Sequence, residues 1–313
     1  MVQFTLRRLG AGVVLLFAIT TIAYLLLYLS GGDIARQILG QTATEETVAK
    51  KAEELGLNEP LVPRYIDWLG NALHGDFGRS WFSSQPVAET ITSRLAVTLT
   101  LVVGTVLISA LVSIALGVWA ARKRGWVDRL IQVLSILGFA IPSFLIAILL
   151  VNVFALNLGW FQPTGYTRWS ASPAGWLESV TLPIIALSIG AVAAVAQQVR
   201  GSVIDAQRQD WVRTLRSRGV RENKVIYKHV LRNAGGPALA VLALQFVGLL
   251  GGTLIVEQIF AIPGIGPLTI QSTTQGDIPI VMGVVVATGV VVVVVNLVFD
   301  LLQGFLNPKV RLS

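Results

Sequence analysis

Asp210-Trp-Val-Arg-Thr-Leu-Arg-Ser-Arg-Gly-Val-Arg-Glu-Asn-Lys-Val-Ile-Tyr-Lys-His-Val-Leu-Arg-Asn-Ala234 is the most charged stretch of an otherwise strongly apolar chain. Residues 200–232 hold nine Lys/Arg and only three acids, Asp205, Asp210 and Glu222. Uncharged runs lie on either side, 179–199 before it and 233–256 after it. Each is about the 20 residues a helix needs to cross the ~30 Å hydrocarbon core of a bilayer. A polar hairpin between two such runs is a loop that meets something outside the membrane.

Composition agrees with that reading. Charged residues make up 13% of the 313 residues, about half the roughly 25% of soluble domains. Mean hydropathy is +0.71. The chain therefore reads as an all-α membrane protein rather than two soluble domains. Six uncharged runs are candidate spans: 9–32, 95–121, the start of 130–167, 179–199, 233–256 and 278–299. A seventh, 258–276, contains Pro263, Gly264, Gly266 and Pro267. Such residues would leave backbone groups unpaired in lipid, so it is expected to form an outer loop or shallow re-entrant turn. The first run is too long for a signal-peptide core and lacks a small-x-small cleavage site, so it is expected to be retained.

Basic residues set the orientation. With both termini in the cytoplasm, inner segments carry 17 Lys/Arg and outer segments carry 7. Six of those seven lie in one long loop, where the positive-inside rule has little weight. Topology thus accounts for the net charge of +7, and no nucleic-acid partner is expected. The chain divides into 1–32 (N-terminus and first span), 33–94 (an extracytoplasmic helical loop) and 95–313 (a five-span core carrying the loop 200–232).

Within 33–94, Thr42-Ala-Thr-Glu45 is a capping-box pattern for a short helix ending near Gly56. A second helix should begin at Pro60, with Leu61, Tyr65, Leu69 and Leu73 on one face. His74-Gly-Asp-Phe-Gly78 reads as a turn, and Pro86 starts an amphipathic helix leading into the second span. Trp68, Trp81 and Phe82 would anchor the loop at the membrane interface, and Trp68, Asp76 and Trp81 would also serve an extracytoplasmic docking partner.

The cores of the spans contain no ionisable side chain; Glu257 and Asp300 sit at their edges. Ion-coupled transporters place such groups near the midplane, so this census argues against a secondary transporter. Pro142 should kink the third span. Pro142, Ser143, Gln245 and Glu257 are candidate pathway residues on polarity and kink position. Gly248-Leu-Leu-Gly-Gly252 would allow close helix contact. Catalysis has little support. His74 and His229 fall on opposite sides of the membrane, cysteines number zero, and no Gly-x4-Gly-Lys-Ser/Thr occurs. No enzyme activity, metal or bound cofactor is expected, and any ATP with its Mg would be used by partner subunits.

Gly219 and Leu231, twelve residues apart, match the spacing of the cytoplasmic E-A-A-x3-G-x9-I-x-L-P loop of ABC importer permeases. Arg213, Thr214 and Leu215 replace Glu-Ala-Ala, His229 replaces Ile and Arg232 replaces Pro. These departures resemble the dipeptide/oligopeptide/nickel permease family, whose members read D-Y-V-R-T-A-R-A-K-G and R-H-x-L-R-N-A here. The resemblance extends along the chain. It includes Leu6-Arg-Arg-Leu9, Leu57-Asn-Glu-Pro-Leu-Val-Pro-Arg-Tyr-Ile-Asp-Trp-Leu69, Gly75-Asp-Phe-Gly-Arg-Ser80 and Glu257-Gln-Ile-Phe-Ala-Ile-Pro-Gly-Ile-Gly266. Asn307-Pro-Lys-Val-Arg311 resembles the closing D-P-R-x-R, with Asn307 for Asp.

The resemblance, which points to the family's first permease subunit, implies a type I ABC importer permease fold in the inner membrane. It also implies a second, non-identical six-span permease, two cytoplasmic ATPases and an extracytoplasmic solute-binding protein. A short helix around 214–220 would sit in a groove on one ATPase. Arg213, Arg216, Arg218 and Arg221 would pair with acids there, Leu215 and Val220 would be apolar anchors, and Thr214 and Gly219 would shape the contact. Short peptides are the favoured solute; nickel or another small solute is the alternative. A secondary transporter and a non-transport scaffold are the other classes, opposed by the charge census and the full-length resemblance respectively.

Overall fold

The computed structural model describes residues 2–29, 34–40, 42–123 and 125–306. Arg124 and the Asn307–Arg311 motif lie outside them. Among the described residues thirteen α-helices follow one another: α1 Val2–Leu29, α2 Ile34–Leu39, α3 Glu45–Glu54, α4 Leu61–Leu73, α5 Val87–Lys123, α6 Trp126–Ala140, α7 Ser143–Leu150, α8 Pro173–Gln207, α9 Asp210–Ser217, α10 Glu222–Lys224, α11 Leu231–Ile259, α12 Ile265–Gln275 and α13 Ile278–Leu306. π-helical turns extend α7 through Val151–Asn157 and precede α11 at Val225–Val230. Among the described residues the only β pairing is a bridge between Arg79 and Pro86.

Among the described residues five helices are long and apolar enough to span a membrane by themselves, and α6 with α7 makes a sixth if the pair is one bent span. That bend is sharper than the kink expected. Pro142 drives the preceding Ile141 into extended backbone (φ −87°, ψ 119°), as the proline ring disfavours helical geometry one residue upstream. The helix ends there, a new one begins at Ser143, and the two halves meet at 94°.

The chain forms two compact units. One is built on Thr98–Ile262, joined by α13 from Val294 onward. Its central element is α8, with 67% of its apolar window buried, against 17–39% for the other single-helix spans. Two glycines of α5 let α8 approach. A Cβ at Gly104 would lie 2.6 Å from Ile184, and one at Gly117 would lie 2.7 Å from Val199. Ser113 Oγ donates to the Val192 carbonyl at 3.1 Å. Asp128 at the start of α6 and Arg200 on α8 form a two-bond ion pair, one bond at 2.7 Å.

The other unit is built on Arg7–Val97 and Pro263–Val293. Val87 and Ile91 of α5 pack with Ile265, Ile280 and Val284. The cap of α3 is Thr44, which accepts from Thr47 N, rather than the Thr42 suggested by the capping-box spacing. Leu73, expected on the same face of α4 as Tyr65, is 79% exposed. The Gly/Pro-rich run 258–276, expected as an outer loop or shallow re-entrant turn, is largely helical. Gly264 caps α12 and Pro267 falls in its first turn, where an amide has no intrahelical acceptor and its loss costs little. Gly276, at φ +71°, ends the helix in a left-handed turn.

Candidate functional site

The basic hairpin is a folded element rather than a flexible loop. In α9 the apolar residues Trp211, Val212 and Leu215 fall on one side and the charged residues on the other. Val212 is 0% exposed, inside a cluster with Val199 and Val203 of α8, Val225 and Ile226, and Ala234 of α11. Trp211, Leu215 and Val220 pack on the same cluster. The helix spans Asp210–Ser217, earlier in the chain than the 214–220 expected.

It ends because Gly219 adopts φ +73°, a conformation that costs other L-residues about 1 kcal/mol or more. Gly219 N donates to Arg216 O at 2.9 Å and Val220 N to Leu215 O at 3.2 Å, the paired bonds of a Schellman terminus. A Cβ at Gly219 would meet open space, so this glycine is required by the turn and not by close packing within the chain.

Leu215 and Val220, expected as apolar anchors, pack on their own chain's cluster and keep part of their surface exposed. Arg216 is also engaged internally, bonding Glu222 through Nε at 3.0 Å and Nη2 at 2.7 Å. That hydrogen bonding raises the guanidinium pKa above its ordinary value. Arg122 binds Asn223 Oδ1 at 3.0 Å and lies 5.7 Å from the Tyr227 ring centroid. Arg213, Thr214, Arg218 and Arg221 are exposed. The hairpin therefore presents three arginines outward from a base fixed to the long helices.

The four candidate pathway residues do not converge. Pro142 and Ser143 mark the break between α6 and α7. Gln245 and Glu257 are twelve residues apart on α11, about 18 Å at the helical rise. Glu257 is 0% exposed and accepts from Thr98 Oγ1 at 2.6 Å. A buried carboxylate needs such donors to offset its desolvation, and this one ties α11 to α5.

Trp68, Asp76 and Trp81 do come together. With Arg64, Asn71 and Arg79 they line a polar cavity of about 270 Å³. Arg64 lies 5.7 Å from the Trp81 ring centroid, and Asp76 Oδ1 accepts from Gly78 N at 2.8 Å. The turn is pinned by a group that sequence reading missed: Asp277, 3% exposed, accepts from Ser80 Oγ at 2.5 Å and Trp81 N at 3.2 Å. Trp68 stacks on Tyr65 and packs against Tyr24, with centroids at 6.1 and 5.6 Å. Its ring thus faces protein, and its expected role as a lipid anchor is not what the packing supports.

A family model described as binding-protein-dependent transport system inner membrane component matches residues 113–312, and the N-terminal model of the same component matches residues 1–102. A protein of Brucella abortus strain 2308 named as a peptide transport system permease is 38% identical over 312 residues, covering 99% of each chain. The glutathione transport system permease protein GsiC of Escherichia coli K12 is 33% identical over 312 residues, again covering 99% of each chain. Among solved structures, a chain of the inward-facing MetNI methionine ABC transporter superposes with a TM-score of 0.59 at 15% identity, covering 72% of this chain and 99% of that one. The last is a likeness of fold alone.

Proposed function

The chain belongs to the family of binding-protein-dependent transport system inner membrane components, and on that premise we propose that it is a permease subunit of an ATP-driven importer of di- and oligopeptides. It is a multi-pass inner-membrane protein of an ABC transport system, working with other transporter components. Peptide solutes are favoured by the names of the full-length relatives, one of which carries glutathione, itself a tripeptide.

The observation that carries the mechanism is the fixed basic hairpin. α9 would lodge in a groove on a cytoplasmic ATPase, with Arg213, Arg218 and Arg221 meeting acidic groups on its rim. Gly219 shapes the turn, Thr214 lies beside the contact, and Arg216, Leu215 and Val220 hold the helix in place. Val212 shares its cluster with residues of α8 and α11, so displacement of α9 is passed to both spans as a rigid-body tilt. ATP and Mg would be bound and used by two ATPase partners; this chain would bind neither.

Both termini would lie in the cytoplasm, on the same side as α9. The cavity at Trp68, Asp76 and Trp81 would then face outward and receive the solute-binding protein. A second, non-identical permease would complete the pathway. Open space around Gly248, Gly251 and Gly252 suits close approach of its helices. Pro142, Ser143 and Gln245 would border the pathway at separate points, with Pro142 as a hinge, while the fully buried Glu257 would brace α11 against α5 beside it.

Uptake of radiolabelled dipeptide, glutathione and nickel into a deletion strain, with and without the restored chain, tests the substrate. Restored dipeptide uptake is expected. Restoration of nickel alone would overturn the peptide assignment while leaving the coupling mechanism standing.

A further inference from the structure

α4 is amphipathic in an unusual way. Leu61, Tyr65 and Trp68 turn toward protein and are half-buried. Val62, Ile66 and Leu73 are 62%, 59% and 79% exposed, and no residue of the helix is fully buried. At 100° per residue, Val62, Ile66, Leu69 and Leu73 fall within about 60° of one another on the helix circumference. They form an aliphatic stripe without a charge in it. Pro63, Asp67, Gly70 and Asn71, all exposed, occupy the arc beside it.

The depth of this stripe is fixed by what the inner face touches. Tyr65 hydroxyl and Thr21 Oγ1 hydrogen bond at 2.6 Å. Tyr24 packs on both Tyr65 and Trp68, with centroids at 5.1 and 5.6 Å. Thr21 and Tyr24 belong to α1, whose apolar span is Thr5–Leu27. They precede the end of that span by six and three residues, about 9 and 4.5 Å at the helical rise. The turn of α4 that makes these contacts is therefore held beside the apolar part of a membrane span. An amphipathic helix lying in a bilayer interface buries its apolar face about 5–10 Å into the headgroup–acyl boundary, the same depth.

We propose that α4 is an interfacial helix whose Val62–Ile66–Leu69–Leu73 stripe is seated in the phospholipid leaflet at the C-terminal end of α1. The occupant of the stripe is lipid and not a soluble partner. A partner arriving from water meets the Asp67/Asn71 arc and the polar cavity at Trp81, whereas the stripe is uncharged and lies at acyl depth. The seat holds that cavity at a constant height over the membrane.

The cysteine-free chain makes the test direct. Ile66→Cys, Leu73→Cys, Asp67→Cys and Asn71→Cys are each labelled with bimane in the full chain and reconstituted in phosphatidylcholine nanodiscs. Quenching by doxyl-phosphatidylcholine and by aqueous iodide is then measured for each. The lipid quencher should act several-fold more strongly at 66 and 73 than at 67 and 71, and iodide should show the reverse order. Equal iodide quenching at all four positions would overturn the proposal. So would the absence of lipid quenching at 66 and 73 with iodide also excluded, because protein would then cover the stripe.

Discussion

α9 and α4 are both short amphipathic helices beside membrane-length segments, yet they turn opposite chemistries outward. α9 buries Val212 and packs Trp211 and Leu215 against its own chain, leaving Arg213, Arg218 and Arg221 exposed. α4 packs Tyr65 and Trp68 inward and leaves Val62, Ile66 and Leu73 exposed. An amphipathic pattern alone says only that a helix lies at a boundary. Which face its own chain already covers leaves the other face to be explained, and that is why an acidic soluble protein is proposed for α9 and lipid for α4.

The strongest way to break this comparison is to reverse the outward charge of α9. With Arg213→Glu, Arg218→Glu and Arg221→Glu combined, membrane levels should be unchanged, because none of the three is in the buried cluster. ATP-driven uptake should fall by about tenfold or more, since like-charge juxtaposition across an interface costs several kcal/mol. Uptake at the wild-type rate would remove the arginines from coupling. Next in size is Asp277→Ala, which removes the carboxylate that accepts from the Ser80 hydroxyl and the Trp81 amide. A loss of about 2–3 kcal/mol is expected, read as a lower Tm of the purified chain, with little change in ATPase co-purification.

Gly219 sharpens the contrast further. Gly219→Ala should cost about 1 kcal/mol through its left-handed backbone alone, seen as faster proteolysis of the hairpin. Gly219→Trp incurs that same strain and adds bulk where the chain leaves open space. Insertion should survive and uptake should not; equal uptake by the two variants would mean that no partner approaches there. The smallest effect belongs to Arg216→Met. Its pair with Glu222 is 42% and 48% exposed, and solvent screening limits such pairs to about 0.2–1 kcal/mol. Near-normal uptake would set Arg216 apart from its three neighbours.

The spans were legible because about 20 uncharged residues in a row have few other uses. The basic hairpin was legible because charge stood out against that background. Pro142 was legible as a disruption but not as a 94° break, because its effect on Ile141 is a backbone matter that hydropathy does not register. α12 is hidden in the sequence because Gly264 and Pro267 resemble breakers, whereas their positions at the cap and first turn make them starters. The packing of Leu215 and Val220 on their own chain was not legible for a related reason: amphipathicity does not tell which side is occupied. The pairs Thr98–Glu257, Asp128–Arg200 and Ser80–Asp277 join residues 159, 72 and 197 positions apart, and no local pattern carries such separations.

The most direct test of the account is a photoreactive amino acid at position 218 of α9 in the assembled transporter, with adducts identified after illumination of native membranes. Attachment to the cytoplasmic ATPase is the predicted result. Adducts with lipid alone, or none with the ATPase while the transporter remains active, would contradict the assignment of α9 as the coupling surface.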